Sequence, residues 1–295
     1  MHAERKPLDA TAISVMVLLC LVWGVGHVAA KLAAPGISLV FQSGLRSVIA
    51  TGLLLAWGAY RAIPLWQRDG TFWPGIWAGV LFGAEFLFIF GGLARTDAAR
   101  MVVFVYLAPC MTALGLHWTI AQERLGSRQW AGIAIAFAGI AVAFGDGFSS
   151  GRGTLLGDLF GVIAAALWAA TTVLIRATKL AAVSATKTLF YQLAVSGPLL
   201  LAAAWLLGEP GVIRLTPVIV LAFIYQCVAV AFASFLAWFW LLKSYLAARL
   251  SSFTFLTPLF GVLGGVLVLG EPLTPSFAAA AALVGAGIYL VNSRS

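Results

Sequence analysis

The chain has 295 residues, of which 62% are hydrophobic and only 9% are charged. Its mean hydropathy is +1.02. These values exclude an ordinary water-soluble domain, in which about 25% of residues are charged. The formal net charge of +8 does not indicate nucleic-acid binding, because the basic residues are scattered between apolar runs and form no cluster. The composition therefore predicts an integral membrane protein, with the lipid bilayer as its solvent.

Ten apolar segments are long enough to cross a bilayer, where a helix needs about 20 residues. Helix is expected because lipid offers no hydrogen-bond partner to a free peptide group. The predicted spans are 12–32, 37–58, 74–94, 98–120, 129–146, 156–176, 185–207, 217–242, 248–269 and 275–292. The first span exceeds the apolar core of about 7–15 residues in a cleaved signal peptide, so we expect it to be retained.

The lysines and arginines predict the orientation of these spans. If the N-terminus is cytoplasmic, twelve basic residues lie on the cytoplasmic side and five on the other side. We therefore expect a multi-pass protein of the bacterial inner (plasma) membrane, with both termini in the cytoplasm. The cysteines Cys20, Cys110 and Cys227 lie within apolar runs without metal-type spacing, which indicates neither a disulfide framework nor a metal site.

An internal repeat divides the chain into residues 1–146 and 147–295. Residues 99–109 read ARMVVFVYLAP and residues 248–258 read ARLSSFTFLTP, so Arg, Phe, Leu and Pro recur at one offset. A tryptophan followed eight residues later by a base also occurs in both halves. Each half holds five predicted spans, and an odd number inverts the second half relative to the first. The predicted fold is an all-α integral membrane protein of ten transmembrane helices in two inverted five-helix repeats, which is typical of secondary transporters.

These residues resemble the drug/metabolite transporter superfamily, and within it the ten-helix EamA-type transporters. The resemblance covers nearly the whole chain, and its ordered set of motifs is more specific than any single one. It is carried by Trp23, residues 41–46, Tyr106-Leu107-Ala108-Pro109, residues 122–125 (QERL), the glycine-spaced run 132–139, Leu167-Trp168, residues 255–258 (FLTP) and residues 270–273 (GEPL). The resemblance implies export of small metabolites such as amino acids, driven by the proton gradient or by the gradient of the substrate.

Ionisable groups inside the membrane are costly and are therefore candidate functional residues. Glu85 lies in the middle of the third span, where it could bind a substrate amine, exchange a proton, or serve as a neutral structural carboxyl group. Arg46 lies within the second span and could pair with Glu85 or with a substrate carboxylate, while snorkelling to the surface is the alternative.

His27 shares one helix face with Trp23 and Lys31, and a histidine suits proton exchange. A structural interhelical hydrogen bond is the alternative. Trp23 and its counterpart Trp168 are candidates for the wall of a binding cavity, against the alternative of an interfacial tryptophan belt. Thr172 occupies the position in the sixth span that corresponds to His27. Snorkelling is expected for Lys31 and Arg176 at opposite membrane surfaces.

Pro109 and Pro258 lie within predicted spans, where each removes a backbone hydrogen bond. Their paired positions predict hinges or gates, although helix packing alone is the alternative. Tyr106 is a candidate polar contact for a substrate. The many glycines predict close helix contacts.

Other classes of function fit the sequence less well. A membrane enzyme would need a catalytic set, and the chain shows no nucleotide-binding glycine loop, no paired metal carboxylates and no Ser/His/Asp set. We therefore assign no catalytic residue, metal or cofactor. A flippase for lipid-linked substrates, or an efflux protein for quaternary ammonium compounds, would share this fold and stays open. The sequence also leaves open the identity of the small-molecule substrate and the choice between monomer and homodimer.

Overall fold

The computed structural model describes residues 8–96, 98–145, 154–270 and 276–293, without the side chains of 98–100 and 269. Within these ranges the secondary structure is helical, apart from an isolated antiparallel bridge between Ile37 and Val212. Nine helical stretches of the described chain are long and apolar enough to cross a membrane, and a shorter apolar helix follows at Ser276–Asn292. The repeat motif at 271–273 and the side chain of Arg100 lie outside this description.

The α-helices of the described ranges follow the predicted spans closely. They are α1 (Ala10–Ala33), α2 (Leu39–Tyr60), α3 (Phe72–Leu93), α4 (Ala98–Val105), α5 (Ala108–Thr119), α6 (Ser127–Phe144), α7 (Leu155–Ala177), α8 (Ala185–Leu206), α9 (Pro217–Tyr225), α10 (Phe235–Ser244), α11 (Ala247–Phe253), α12 (Leu256–Gly264) and α13 (Ser276–Asn292). Two π-helical segments, Gln226–Ser234 and Gly265–Leu269, follow α9 and α12.

Two predicted spans are broken rather than kinked. The fourth consists of α4 and α5, and the ninth begins with α11 and α12, so each break comes just before a proline. Pro109 and Pro258 therefore lie in the first turns of α5 and α12. The sequence had predicted a helix-interior position for both prolines, which is wrong. The reason is that proline lacks the N–H that an interior position needs and clashes with the preceding turn, whereas the first turn tolerates it.

Glycines allow α6 and α13 to pack against each other backbone to backbone. A Cβ atom on Gly287 would lie 2.5 Å from the Gly132 carbonyl oxygen and 2.5 Å from the Ala136 nitrogen. In the same way, a Cβ atom on Gly132 would lie 2.7 Å from the Gly287 oxygen. Only glycine fits at these positions, as expected for helices that associate in lipid through small residues.

The long helices α1 and α7 each pack against the second part of a broken span. Helix α1 contacts α12, and helix α7 contacts α5. In the first pair a Cβ atom on Gly264 would lie 3.1 Å from Val28, and in the second a Cβ atom on Gly115 would lie 2.8 Å from Val173. The broken span of each half therefore packs against a long helix of the other half.

Acidic residues in two connections bind the first turns of α2 and α8. The Glu209 carboxylate, between α8 and α9, accepts hydrogen bonds from the N–H groups of Val40 at 3.1 Å and Phe41 at 2.8 Å. Asp69, between α2 and α3, accepts a hydrogen bond from Lys187 Nζ at 2.8 Å. This bond, with others from Thr71, lowers the pKa of Asp69 to about 2, so the Asp69 carboxylate is ionised at neutral pH.

The packing of α13 against α6 generates a prediction about a matched pair of glycines. A Cβ atom on Gly285 would meet no atom within 4 Å, two residues away from the crowded Gly287. Because valine has the same effect on helix propensity at both sites, the difference between them reports packing alone. We expect Gly287→Val to lower stability by about 1–3 kcal/mol more than Gly285→Val.

The measurement is the thermal unfolding midpoint of both variants in one detergent, together with the yield of monodisperse protein. Equal midpoints for the two variants would contradict the close contact between α6 and α13.

Candidate functional site

Arg46 is a buried arginine on α2 whose hydrogen-bonding capacity is largely unused. Its exposed fraction is 8%, and its guanidinium lies over the ring of Phe86 on α3, 5.1 Å from the ring centroid. Among the described residues, neither Nε nor Nη2 has a hydrogen-bond partner. The snorkelling alternative therefore does not describe this residue, because its head group stays inside the bundle.

Glu85 lies beside Phe86 on α3 and is 7% exposed. It is within electrostatic range of Arg46, yet the two side chains form no direct ion pair, and the described residues donate no hydrogen bond to the Glu85 carboxyl group. Opposite charges buried side by side normally pair with each other, because an unpaired charge in a low-dielectric interior is costly. The structure thus holds two complementary groups apart.

Small residues allow α3 to pack closely against α8. Gly75, Gly79 and Gly83 recur every four residues and face α8. Cβ atoms on the first two would lie 2.3 Å from Tyr191 and 2.4 Å from Val195. Phe82 and Phe86 follow Gly75 and Gly79 by seven residues each and so lie close to this stripe on α3, and Phe82 contacts Phe235 of α10.

His27 is exposed to solvent although it does not belong to the outer surface of α1. Cys20 and Trp23, two turns and one turn earlier on the same face, both contact other helices: Cys20 Sγ donates to the Phe253 carbonyl at 3.2 Å, and Trp23 Nε1 donates to Ser234 Oγ at 2.8 Å. The accessible surface of His27 therefore lies on the inward side of α1, within electrostatic range of Arg46.

Aromatic rings form a continuous wall from α1 through α10 to α3. Trp23 contacts Trp238 with ring centroids 5.8 Å apart and Phe235 at 6.3 Å. Phe235 in turn contacts Phe82 at 5.8 Å, and Phe82 contacts Phe86 at 5.1 Å. This wall ends at the guanidinium of Arg46, and Trp23 takes part in it rather than in an interfacial belt.

The two helix breaks meet near the same place. Tyr106, in the break between α4 and α5, is buried beside Cys20 and Thr257 and within electrostatic range of Glu85. The Thr257 hydroxyl is buried without a hydrogen bond of normal geometry. At the second break, the carbonyl group of Phe253 that loses its helical partner accepts the bond from Cys20. Each break thus leaves polar groups in the centre of the bundle.

The remaining candidates from the second half lie to one side of this centre. Trp168 contacts Tyr106 edge-on, with ring centroids 6.2 Å apart. Thr172 is buried, and its hydroxyl group donates to the Trp168 carbonyl group of its own helix at 3.3 Å. The structure therefore brings Trp168 to the edge of the site through Tyr106, whereas the hydroxyl of Thr172 is engaged within α7.

Two further polar contacts lie inside the bundle, and the sequence did not predict their partners. Gln226, the first residue of the π-helical segment, donates to Gln42 Oε1 at 3.0 Å inside the bundle. Ser234, the last residue of that segment, is the acceptor for Trp23. The signal that could have found them is the rarity of glutamine and serine within apolar spans; the π-helix itself has no recognisable sequence pattern, although such segments are frequent at functional sites.

A buried ion pair closes one end of the bundle. Glu123, just after α5, pairs with Arg176 at the end of α7. It also accepts hydrogen bonds from the N–H groups of Ala247 at 2.9 Å and Ala248 at 3.1 Å, at the start of α11. The snorkelling expected for Arg176 is wrong, since the residue is 3% exposed: a carboxylate supplied by another helix satisfies the guanidinium more fully than the membrane surface would.

A bundle of apolar helices with ionisable groups at its centre is typical of multi-pass membrane transport proteins. The model of the EamA-like transporter family matches residues 10–145 and 155–293. The chain belongs to this family, and so to the drug/metabolite transporter superfamily.

Similar proteins agree with this assignment over their full length. The uncharacterized transporter YvbV of Bacillus subtilis is 27% identical over 294 residues, which cover 99% of this chain and 94% of that protein. A probable amino-acid metabolite efflux pump of Salmonella typhimurium is 24% identical over 282 residues, or 92% of each chain. A solved crystal structure at 21% identity has a TM-score of 0.80 and covers 96% of each chain, which supports the fold.

The ion pair at the end of the bundle generates a second prediction. Glu123→Gln removes the charge that compensates the buried Arg176, and breaking one side of a buried pair costs about 3–5 kcal/mol. We expect a large loss of stability in reversible unfolding in mixed micelles. The double variant Glu123→Gln/Arg176→Gln should recover part of this loss, because it leaves no uncompensated charge.

Arg124→Gln is the matched control, since Arg124 is the exposed neighbour of Glu123. If Glu123→Gln unfolded like Arg124→Gln, the buried pair would have no structural importance.

Proposed function

We propose that the protein is a secondary transporter that exports amino acids or similar small organic solutes across the bacterial inner membrane by alternating access. The observation that carries the proposal is the pair Arg46 and Glu85, more than nine-tenths buried in membrane-length helices and yet not paired with each other. Ionisable residues at such depth mark substrate or ion pathways in membrane proteins. Export is the direction named for the Salmonella typhimurium relative.

Alternating access requires two halves that can exchange roles, and the packing supports an inverted repeat of residues 1–146 and 147–295. The contact of α1 with α12 has its counterpart in α7 with α5, through equivalent glycine and valine positions. The contacts of α2 with α8 and of α6 with α13 map onto themselves when the halves are exchanged. Asp69 and Glu209 bind the first turns of α8 and α2 in the same reciprocal way.

Ten spans and a cytoplasmic location of both termini complete this proposal. Helix α13 has 17 residues, or about 25 Å at 1.5 Å per residue, against about 30 Å for the hydrocarbon core. It packs along α6, a span of 18 residues. The two shortest candidate spans of the described ranges therefore lie together, which supports a tenth crossing at a site of small residues.

The paired helix breaks suit a rocking motion. The breaks before Pro109 and Pro258 leave few backbone hydrogen bonds to resist bending, and discontinuous helices line the substrate sites of many secondary transporters. The buried pair Glu123–Arg176 then closes one end of the bundle, and opening that end requires its separation. Glu85 and His27 are the proposed proton-coupling residues, since both are ionisable and lie near Arg46.

The test is solute flux in proteoliposomes under an imposed pH gradient. We expect flux that depends on the gradient, and we expect Glu85→Gln and His27→Ala to lower that dependence by about tenfold or more, because removing a proton-transfer group commonly costs a factor of 10²–10⁴. Arg124→Gln, remote from the site, should transport normally.

Normal pH-dependent transport in both variants would rule out their coupling role. If no soluble amine, amino acid, quaternary ammonium compound or nucleoside moved, and the protein translocated only lipid-linked substrates, the exporter proposal would fail in favour of a flippase.

A further inference from the structure

We infer that Arg46 and Glu85 form a two-part receptor for a zwitterion, in which the Arg46 guanidinium binds a carboxylate and the Glu85 carboxylate binds an ammonium group. This inference rests on the proposed function and goes further, because it assigns a chemical class of ligand to named atoms. The ligand class is a small solute that carries both groups, of which an α-amino acid is the simplest example.

The unused donors of Arg46 are the first step of the argument. An arginine has five N–H donors in a planar fork that matches a carboxylate. Buried polar groups almost always have partners, so a buried donor without one indicates a missing acceptor. Within the part of the chain that the structure describes, Nε and Nη2 of Arg46 have no partner. These two atoms form one edge of the guanidinium plane, the edge that binds a carboxylate with two parallel hydrogen bonds.

Arg176 is a second buried arginine, and protein groups satisfy most of its hydrogen-bonding capacity. The Arg176 guanidinium pairs with Glu123 and donates through Nη1 to the Leu242 carbonyl group at 3.2 Å, which leaves only its Nε free. The described residues thus supply acceptors for both terminal nitrogens of Arg176 and none for Nε and Nη2 of Arg46. The contrast separates a structural arginine from one that is open to a ligand.

The separation of Arg46 from Glu85 is the second step. If Glu85 were only the counter-ion of Arg46, the two would be expected in direct contact, and they are not. A group between them must offer negative charge to Arg46 and positive charge to Glu85. A zwitterion does both, and the complex remains neutral, which limits the desolvation cost inside the membrane.

Other ligand charges fit less well. A quaternary ammonium ion would satisfy Glu85 and leave the Arg46 donors without an acceptor. A dicarboxylate would satisfy Arg46 and be repelled by Glu85. The rest of the ligand would meet the aromatic wall of Trp23, Phe235, Phe82 and Phe86, which favours an apolar side chain over a charged one.

The experiment compares three ligands that differ only in their charged groups. Purified protein in nanodiscs is titrated with the twenty amino acids by equilibrium binding. The tightest binder is then compared with its amide, which lacks the carboxylate, and with its des-amino acid, which lacks the ammonium group. We expect both analogues to bind about 10- to 100-fold more weakly, as for loss of a hydrogen bond to a charged group.

Two variants then assign the groups to residues. In Arg46→Gln the amino acid should bind about as weakly as its amide, and in Glu85→Gln about as weakly as its des-amino acid. If either residue had only a structural role, its substitution would weaken the binding of all three ligands equally. Arg124→Gln is the control and should keep the wild-type ranking.

The ligand series with the unaltered protein tests the inference even where a variant does not fold. An amide or a des-amino acid that binds as tightly as the parent, or binding limited to quaternary ammonium ions or lipids, would overturn it. Flux measurements keep the two proposals apart: transport of a soluble ligand that is not a zwitterion refutes the receptor but leaves the transporter, whereas absence of flux for every soluble class refutes the transporter.

Discussion

A charged side chain inside a membrane must find a partner within the protein, and this constraint organises the whole molecule. The protein satisfies this constraint in two ways. At one end of the bundle Arg176 is enclosed by Glu123 and by backbone groups, so its charge serves to tie helices together. In the centre Arg46 and Glu85 remain apart, so their charges are available to something else. The same physics thus distinguishes a structural pair from a site that is incomplete without a ligand.

The architecture around that site follows from how helices associate in lipid. Hydrophobic burial gives no advantage there, so contacts depend on small residues and on polar groups. Gly132 and Gly287 let α6 and α13 touch along their backbones, which produces a firm contact. The breaks before Pro109 and Pro258 do the opposite, since they interrupt the hydrogen-bonded ladder of two central spans. Two halves that rock about a shared centre need both rigid contacts and interrupted helices, in reciprocal positions.

Much of the fold could be predicted from the sequence, because the spans depend on apolar length and the repeat on matching residues. Glu85 and Arg46 could be selected as candidates from their depth in apolar segments alone. Partners could not be predicted, because they are set by tertiary packing: Glu123 is 53 positions from Arg176, and Ser234 is 211 positions from Trp23. For the same reason the sequence indicated snorkelling for Arg176, and it gave no sign of the π-helical turn that carries Ser234.

Alternating access requires that the inward side of α1 at His27 become accessible in turn from both sides of the membrane. The direct measurement uses His27→Cys in a chain whose three native cysteines are replaced, with a charged thiol reagent that cannot cross lipid applied to either face of sealed vesicles. We predict labelling from each face, and none from either face for Leu18→Cys, because Leu18 is 56% exposed on the outer surface of the same helix. Labelling of the His27→Cys thiol from one face only, with substrate present or absent, would contradict alternating access.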